Sequence, residues 1–142
     1  MSGGAGHLLV RAGGRLIGLP LDRVVEVVEP GVVFPVPSRE PAVRGVAIIR
    51  GRIVPLVHLG ALLEDAGCPS ERSDTGILVD LSGRWLCFEV EEAQTVLYGA
   101  GLAAPPGAAL PWAAAIARTG DGLVPLLDLA ALGARMMEAT AA

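Results

Sequence analysis

The segment Pro41-Ala42-Val43-Arg44-Gly45-Val46-Ala47-Ile48-Ile49-Arg50-Gly51-Arg52-Ile53-Val54-Pro55-Leu56-Val57-His58-Leu59 sets a short Arg50-Gly51 break between two apolar runs. An apolar run, a glycine-bearing turn and a second apolar run make a β-hairpin with a mostly buried ladder. Glycine suits such a turn because it enters backbone angles that other residues avoid. The same order of features returns downstream, where one run stops at Gly120-Asp121-Gly122 and the next ends at Leu129.

The hairpin is part of a duplication with a period of about 70 residues. Leu8-Leu9-Val10 matches Ile77-Leu78-Val79, Gly14-Arg15 matches Gly83-Arg84, and Asp22 matches Glu91. Further on, Pro41 matches Pro111, Gly45 matches Ala115, and Val54-Pro55-Leu56 matches Val124-Pro125-Leu126. The order is kept over almost the whole chain. The spacing therefore predicts that 8–29 superposes on 77–98, and 41–62 on 111–132.

Each unit reads as strands. Ile17, Leu19 and Leu21 alternate as a half-buried strand requires, and Leu86, Phe88 and Val90 stand at the equivalent places. Gly13-Gly14 and Ser82-Gly83 supply hairpin turns. Short helices are predicted over Leu59–Asp65 and Leu129–Met137. Asp22 to Val28 has room for a further helical turn, although Val24, Val25, Val27 and Val28 leave that choice open. Pro30, Pro35, Pro37 and Pro41 punctuate one loop, and Pro105, Pro106 and Pro111 its counterpart. Short strands with few aromatics point to small closed barrels, which remove exposed strand edges and are filled by their own side chains.

At 142 residues the chain holds one domain, or two very small ones sharing a core. A half of about 70 residues buries only about 60% of its unfolded surface, so the halves should lean on each other. All 11 cations are arginine. The lack of lysine removes the P-loop lysine, the Schiff-base lysine and the kinase ATP lysine. A formal charge of −4 with dispersed arginines argues against nucleic acid as a partner. Cys68 and Cys87 lack metal-site spacing; Cys87 reads as a buried small hydrophobe, and a Cys68–Cys87 disulfide stays open. The start, Met1 to His7, lacks the basic and apolar segments of a signal peptide, so a cytoplasmic location is the expectation. Residues 93–117 carry no charge, but Pro105, Pro106, Pro111 and three glycines exclude a continuous membrane helix. That stretch reads as a strand end, a connection and a new strand.

The 41–59 segment closely resembles the signature of the chemotaxis coupling-protein (CheW-like) family, Gly-Val-Ile-Asn-Leu-Arg-Gly followed by Val-Pro-Val-Val-Asp-Leu. Leu8 to Val28, Ile77 to Leu97 and Leu123 to Leu129 also resemble that family's strands, in its order. The resemblance implies one domain over 1–142 built of two intertwined, five-stranded SH3-like β-barrels, roughly 8–65 and 77–132, with strand exchange between them. It implies a non-enzymatic coupling protein without cofactors. Its partners would be the regulatory domain of a histidine kinase and the cytoplasmic tip of a chemoreceptor, the receptor lying in the groove between the barrels. The length suits a stand-alone coupler. Two positions depart from the family pattern: Ile48 stands where the family has asparagine, and His58 where it has an acid.

The resemblance assigns Gly45, Ile48, Arg50 and Gly51 to a candidate protein-binding surface, with Arg50 able to grip a carboxylate or a helix C-terminus. Without it, Arg50 is a solvated turn arginine and Gly51 a turn former. Val32, Val33 and Phe34 are either core or, if exposed, part of the same kind of patch. His58 reads as a strand-end histidine with a hydrogen bond rather than a catalyst or ligand. Glu91, the mate of Asp22, reads as a structural carboxylate bonding nearby backbone. The rival functions are a scaffold or kinase competitor outside chemotaxis, motivated by Ile48 and His58, and, remotely, a small-ligand-binding barrel.

Overall fold

The computed structural model describes residues 6–99, 101–104, 110–120 and 122–140. The predicted alternation is realised in the first hairpin. Strands β1 (Gly6–Ala12) and β2 (Arg15–Pro20) pair antiparallel, with Leu8 opposite Leu19 and Val10 opposite Ile17, all four buried. A 3-10 turn at Leu21–Arg23 leads into β3 (Val24–Val28). The helical turn left open at Asp22 to Val28 is met only at its start by this 3-10 turn; the β-branched valines that follow take the extended state, where their stiff side chains pack.

The 41–59 segment forms β4 (Val43–Ile49) and β5 (Arg52–His58), then α1 (Leu59–Leu63). Arg50 and Gly51 are the two loop residues, with φ of 53° and 73°. Two positive φ angles match the right-handed twist of the flanking strands. The second repeat supplies β6 (Thr75–Leu81), β7 (Arg84–Val90), β8 (Glu92–Tyr98), β9 (Gly101–Ala104), β10 (Ala113–Thr119), β11 (Gly122–Leu127) and α2 (Leu129–Thr140). Helix α1 stops short of the predicted Asp65, which has a φ of 54°, and α2 runs past Met137. Pro105, Pro106 and Asp121 lie outside the described residues. The uncharged 93–117 stretch holds strands, and among the described residues no helix is long and apolar enough to cross a membrane.

The strands make a six-stranded sheet, β8-β1-β2-β11-β10-β9, and a five-stranded sheet, β3-β6-β7-β5-β4. The five strands expected of each barrel are met by the second sheet, and the first carries a sixth, β9, paired with β10. The sheets do not follow the bounds 8–65 and 77–132. The β1-β2 hairpin leaves its own repeat to join β8–β11, and β6-β7 joins β3, β4 and β5. In each sheet a parallel pairing makes the join, Leu126 with Gly18 and Leu56 with Cys87.

The main core draws on both sheets: Val10, Ile17 and Leu19 meet Val57, Ile77 and Phe88, and α2 adds Leu132 and Met136. A smaller cluster of Ala47, Ile49, Val54, Leu56, Leu78 and Cys87 fills the five-stranded sheet. In the six-stranded sheet Leu9, Ala117, Val124 and Leu126 are buried as well.

Candidate functional site

Strand alternation sends Ala47 and Ile49 inward, which leaves Ile48 on the outer face. Ile53 stands directly across from it on β5. Ile48 is 61% exposed and Ile53 74%, beside the Arg50-Gly51 turn. Phe34 is bridged to Val46 by two backbone bonds, Phe34 N–H to Val46 O at 2.8 Å and Val46 N–H to Phe34 O at 2.9 Å. Directly opposed residues point to the same face, so Phe34, half exposed, shares the face of Val46, Ile48 and Ile53. Val32 is 70% exposed, while Val33 is half-buried against the inner cluster. Of the two readings of this loop, Val32 and Phe34 follow the exposed one and Val33 the core one.

Arg50 is not a free turn arginine. Its guanidinium pairs with the Glu26 carboxylate on β3, so it ties the tip of the β4-β5 hairpin to the opposite edge strand of the sheet. More than half of the Arg50 side chain remains exposed. Gly51 is exposed in the turn. Gly45 is buried, at a φ of 149°, and a Cβ there would fall 2.2 Å from the Phe34 carbonyl oxygen. It lets the Phe34 loop lie on β4 and itself presents nothing outward.

His58 ends β5, and its Nδ1 accepts from the Ala61 N–H at 3.0 Å, capping α1. Asp128, its mate, caps α2 in the same way, accepting from the Ala131 N–H at 3.1 Å. The exchange of acid for histidine therefore keeps the cap. Burial holds the His58 pKa below its usual value against the carboxylates of Glu89, Glu91 and Glu64, with Arg44 adding to the lowering. Cys68 and Cys87 are both free, which closes the disulfide alternative. Burial pushes the Cys87 thiol up to about 12 and raises that of Cys68, so neither is an activated nucleophile. Glu91 accepts from the Gly14 N–H at 2.7 Å, a backbone partner as read, but one distant in sequence.

Two polar hubs escaped sequence reasoning. Glu89, 1% exposed, is gripped by the Arg44 guanidinium and also accepts from the Ser73 N–H at 2.7 Å. Arg44 donates onward to the Pro69 and Glu71 carbonyls, at 2.8 and 2.6 Å. Arg135 of α2 donates to the buried Glu40 carboxylate at 2.9 Å and to Asp65 at 2.6 Å. A lone acid in the apolar run Trp85–Val90 was the available signal for the first hub. Among the described residues, no group of three or more His, Cys, Asp or Glu is placed to hold a metal ion.

The second hairpin, β10-β11, repeats the tip with different chemistry. Leu123, the mate of Ile53, is 61% exposed, and opposite it stands Arg118, the mate of Ile48.

The CheW-like domain family matches residues 6–136. Among solved structures, the scaffolding protein TtCheW from Thermoanaerobacter tengcongensis is similar, with a TM-score of 0.74 at 19% identity over 91% of this chain and 87% of that one. A search of curated proteins finds no significant match. With the duplicated hairpins, the exchanged strands and a family match over nearly the whole length, the chain belongs to the CheW-like family, the coupling and scaffolding proteins of chemotaxis.

Proposed function

We propose that the chain is a cytoplasmic adaptor without catalytic turnover, joining the regulatory domain of a histidine kinase to the cytoplasmic tip of a chemoreceptor. The observation that carries this reading is the exposed Ile48–Ile53 pair beside Arg50, on the hairpin that bears the family motif. With Phe34 it makes an apolar face, polar at its Arg50–Glu26 margin, of the kind that marks protein interfaces, and Val32 is a further exposed apolar residue of the Phe34 loop. The twin tip at Leu123 and Arg118 offers a second, chemically different surface, which suits a protein with two unlike partners.

The test is calorimetric titration of the chain with a kinase regulatory domain and with a receptor-tip fragment from the same genome. The double variant Ile48→Glu/Ile53→Glu should keep its fold and weaken kinase binding by about 100-fold, since buried apolar anchors dominate such interfaces. Absence of binding to either partner sinks the adaptor reading. Ile48 also favours one rival, a scaffold that occupies the kinase without supporting it. Adding the chain to receptor and kinase separates the two: a rise in kinase phosphorylation supports coupling, and a fall supports competition.

A further inference from the structure

We propose that the cleft between the β6-β7 turn and helix α2 is a docking groove for a short acidic and apolar segment of a partner protein. The duplication supplies the reference. In the first repeat the equivalent cleft, between the β1-β2 turn and α1, is filled. A Cβ on Gly60 would fall 2.8 Å from the Gly13 amide nitrogen, so helix and turn are in backbone contact. The Glu64 carboxylate covers the turn, with Oε2 3.0 Å from where a Cβ on Gly13 would lie.

In the second repeat the mates of Gly13, Gly60 and Glu64 are Ser82, Ala130 and Ala134. The methyl of Ala130 cannot allow the same approach, and Ala134 carries no carboxylate. The cleft stays open, lined by Leu81, Ser82, Leu129, Ala130, Gly133 and Ala134. Leu81 floors it, reaching within 3.2 Å of where a Cβ on Gly133 would lie. Its rim has also changed sign. Arg84 is kept from Arg15, while Arg23, whose mate in the other repeat is the acid Glu92, borders this cleft beside it. Neither makes an ion pair among the described residues. Among the described residues, the carboxylate bonded to the turn is that of Asp80, which accepts from the Gly83 N–H at 2.7 Å.

This groove is therefore its filled twin without the carboxylate and with an added cation. A partner segment whose carboxylate sits over the Ser82-Gly83 turn, between Arg23 and Arg84, with an apolar side chain on Leu81, supplies what is missing. The groove adjoins the β4-β5 hairpin, since Arg52 donates to the Gly83 carbonyl at 3.2 Å and Arg84 lies beside Ile53, but its test needs neither of the adaptor's partners.

A fluorescein-labelled peptide copying residues 59–66, Leu-Gly-Ala-Leu-Leu-Glu-Asp-Ala, is the probe, read by anisotropy against the full chain. Saturable binding is expected, weakened about tenfold when the peptide's two acids become amides, and by a similar factor in Arg84→Glu. Ala134→Glu restores the missing carboxylate from within; it should abolish peptide binding and raise Tm. Arg39→Glu, an exposed change elsewhere, should leave binding unchanged. No saturable binding, equal affinity for the amide peptide, or binding undisturbed by Ala134→Glu would each overturn the proposal.

Discussion

Arg50 carries two constraints at once, a left-handed backbone angle and an ion pair with Glu26 across the open side of the five-stranded sheet. Because both partners are substantially exposed, the pair adds at most about 1 kcal/mol to stability. Arg50→Ala should therefore leave the denaturation midpoint almost unmoved, while weakening binding at the kinase surface by about 1–3 kcal/mol. Arg52 behaves in the opposite way. Its guanidinium stacks 3.8 Å from the Trp85 ring centroid and donates to the Gly83 carbonyl at 3.2 Å. Arg52→Ala should cost about 1 kcal/mol of stability and leave partner affinity alone. Equal effects of the two changes on binding would return Arg50 to the role of a solvated turn residue. His58 gives a pH signature. Its folded pKa is lowered from 6.5, so below that value the unfolded chain binds more protons, and stability falls as pH drops. His7 is shifted in the same direction by burial. His58→Asn keeps the helix cap and removes one titration. Stability at pH 7.5 should change by less than about 1 kcal/mol, and its slope between pH 6.5 and 5, read from urea midpoints, should become shallower.

At the scale of elements, β4 depends on Gly45, which is buried, and Arg44, whose side chain is mostly hidden from solvent. Gly45 sits at the register shift between Val43 and its neighbours, where the Phe34 loop crosses the strand. Gly45→Ala should destabilise by roughly 3 kcal/mol, combining backbone strain with a clash. It would shift the Phe34 edge and so weaken binding indirectly. Arg44 on β4 and Glu89 on β7 join the two strands that flank β5 and hold the 66–74 loop through its carbonyls. Removing one member leaves a buried charge without its partner. Glu89→Ala should cost about 3–5 kcal/mol in a urea titration, and a replacement of both by apolar residues should cost far less. A mild effect of Glu89→Ala would show that water reaches Arg44.

At the scale of the whole molecule, the exchange of hairpins makes the repeats interdependent. A fragment of residues 6–74 holds β1-β2 without β8 and β11, and β3–β5 without β6-β7. Each piece exposes the core face that the other repeat covers. Such a fragment, and its complement 75–140, should each lack a cooperative melt by circular dichroism, whereas mixing them should restore one. Cooperative unfolding of either alone would mean that each repeat can close its own sheet. The same interdependence separates the two hairpin tips, whose facing pairs have diverged to Ile48–Ile53 and Arg118–Leu123.

The sequence by itself determined what is periodic and local. Alternation set the strands, turn chemistry set the hairpins, and duplication aligned β4 with β10 and β5 with β11. It also brought out the motif hairpin that carries Ile48 and Arg50. Only the tertiary structure decided which sheet each hairpin joins, because two near-identical hairpins satisfy the same edge chemistry and long-range packing chooses between them. It alone placed Glu26 on Arg50, Glu89 on Arg44 and Glu40 on Arg135, partners far apart in the chain whose proximity no spacing encodes. It also sorted Val32 and Phe34 to solvent and Val33 to the core: in a proline-flanked loop without helical or strand period, burial follows from what the loop crosses, and here it crosses β4 at Gly45.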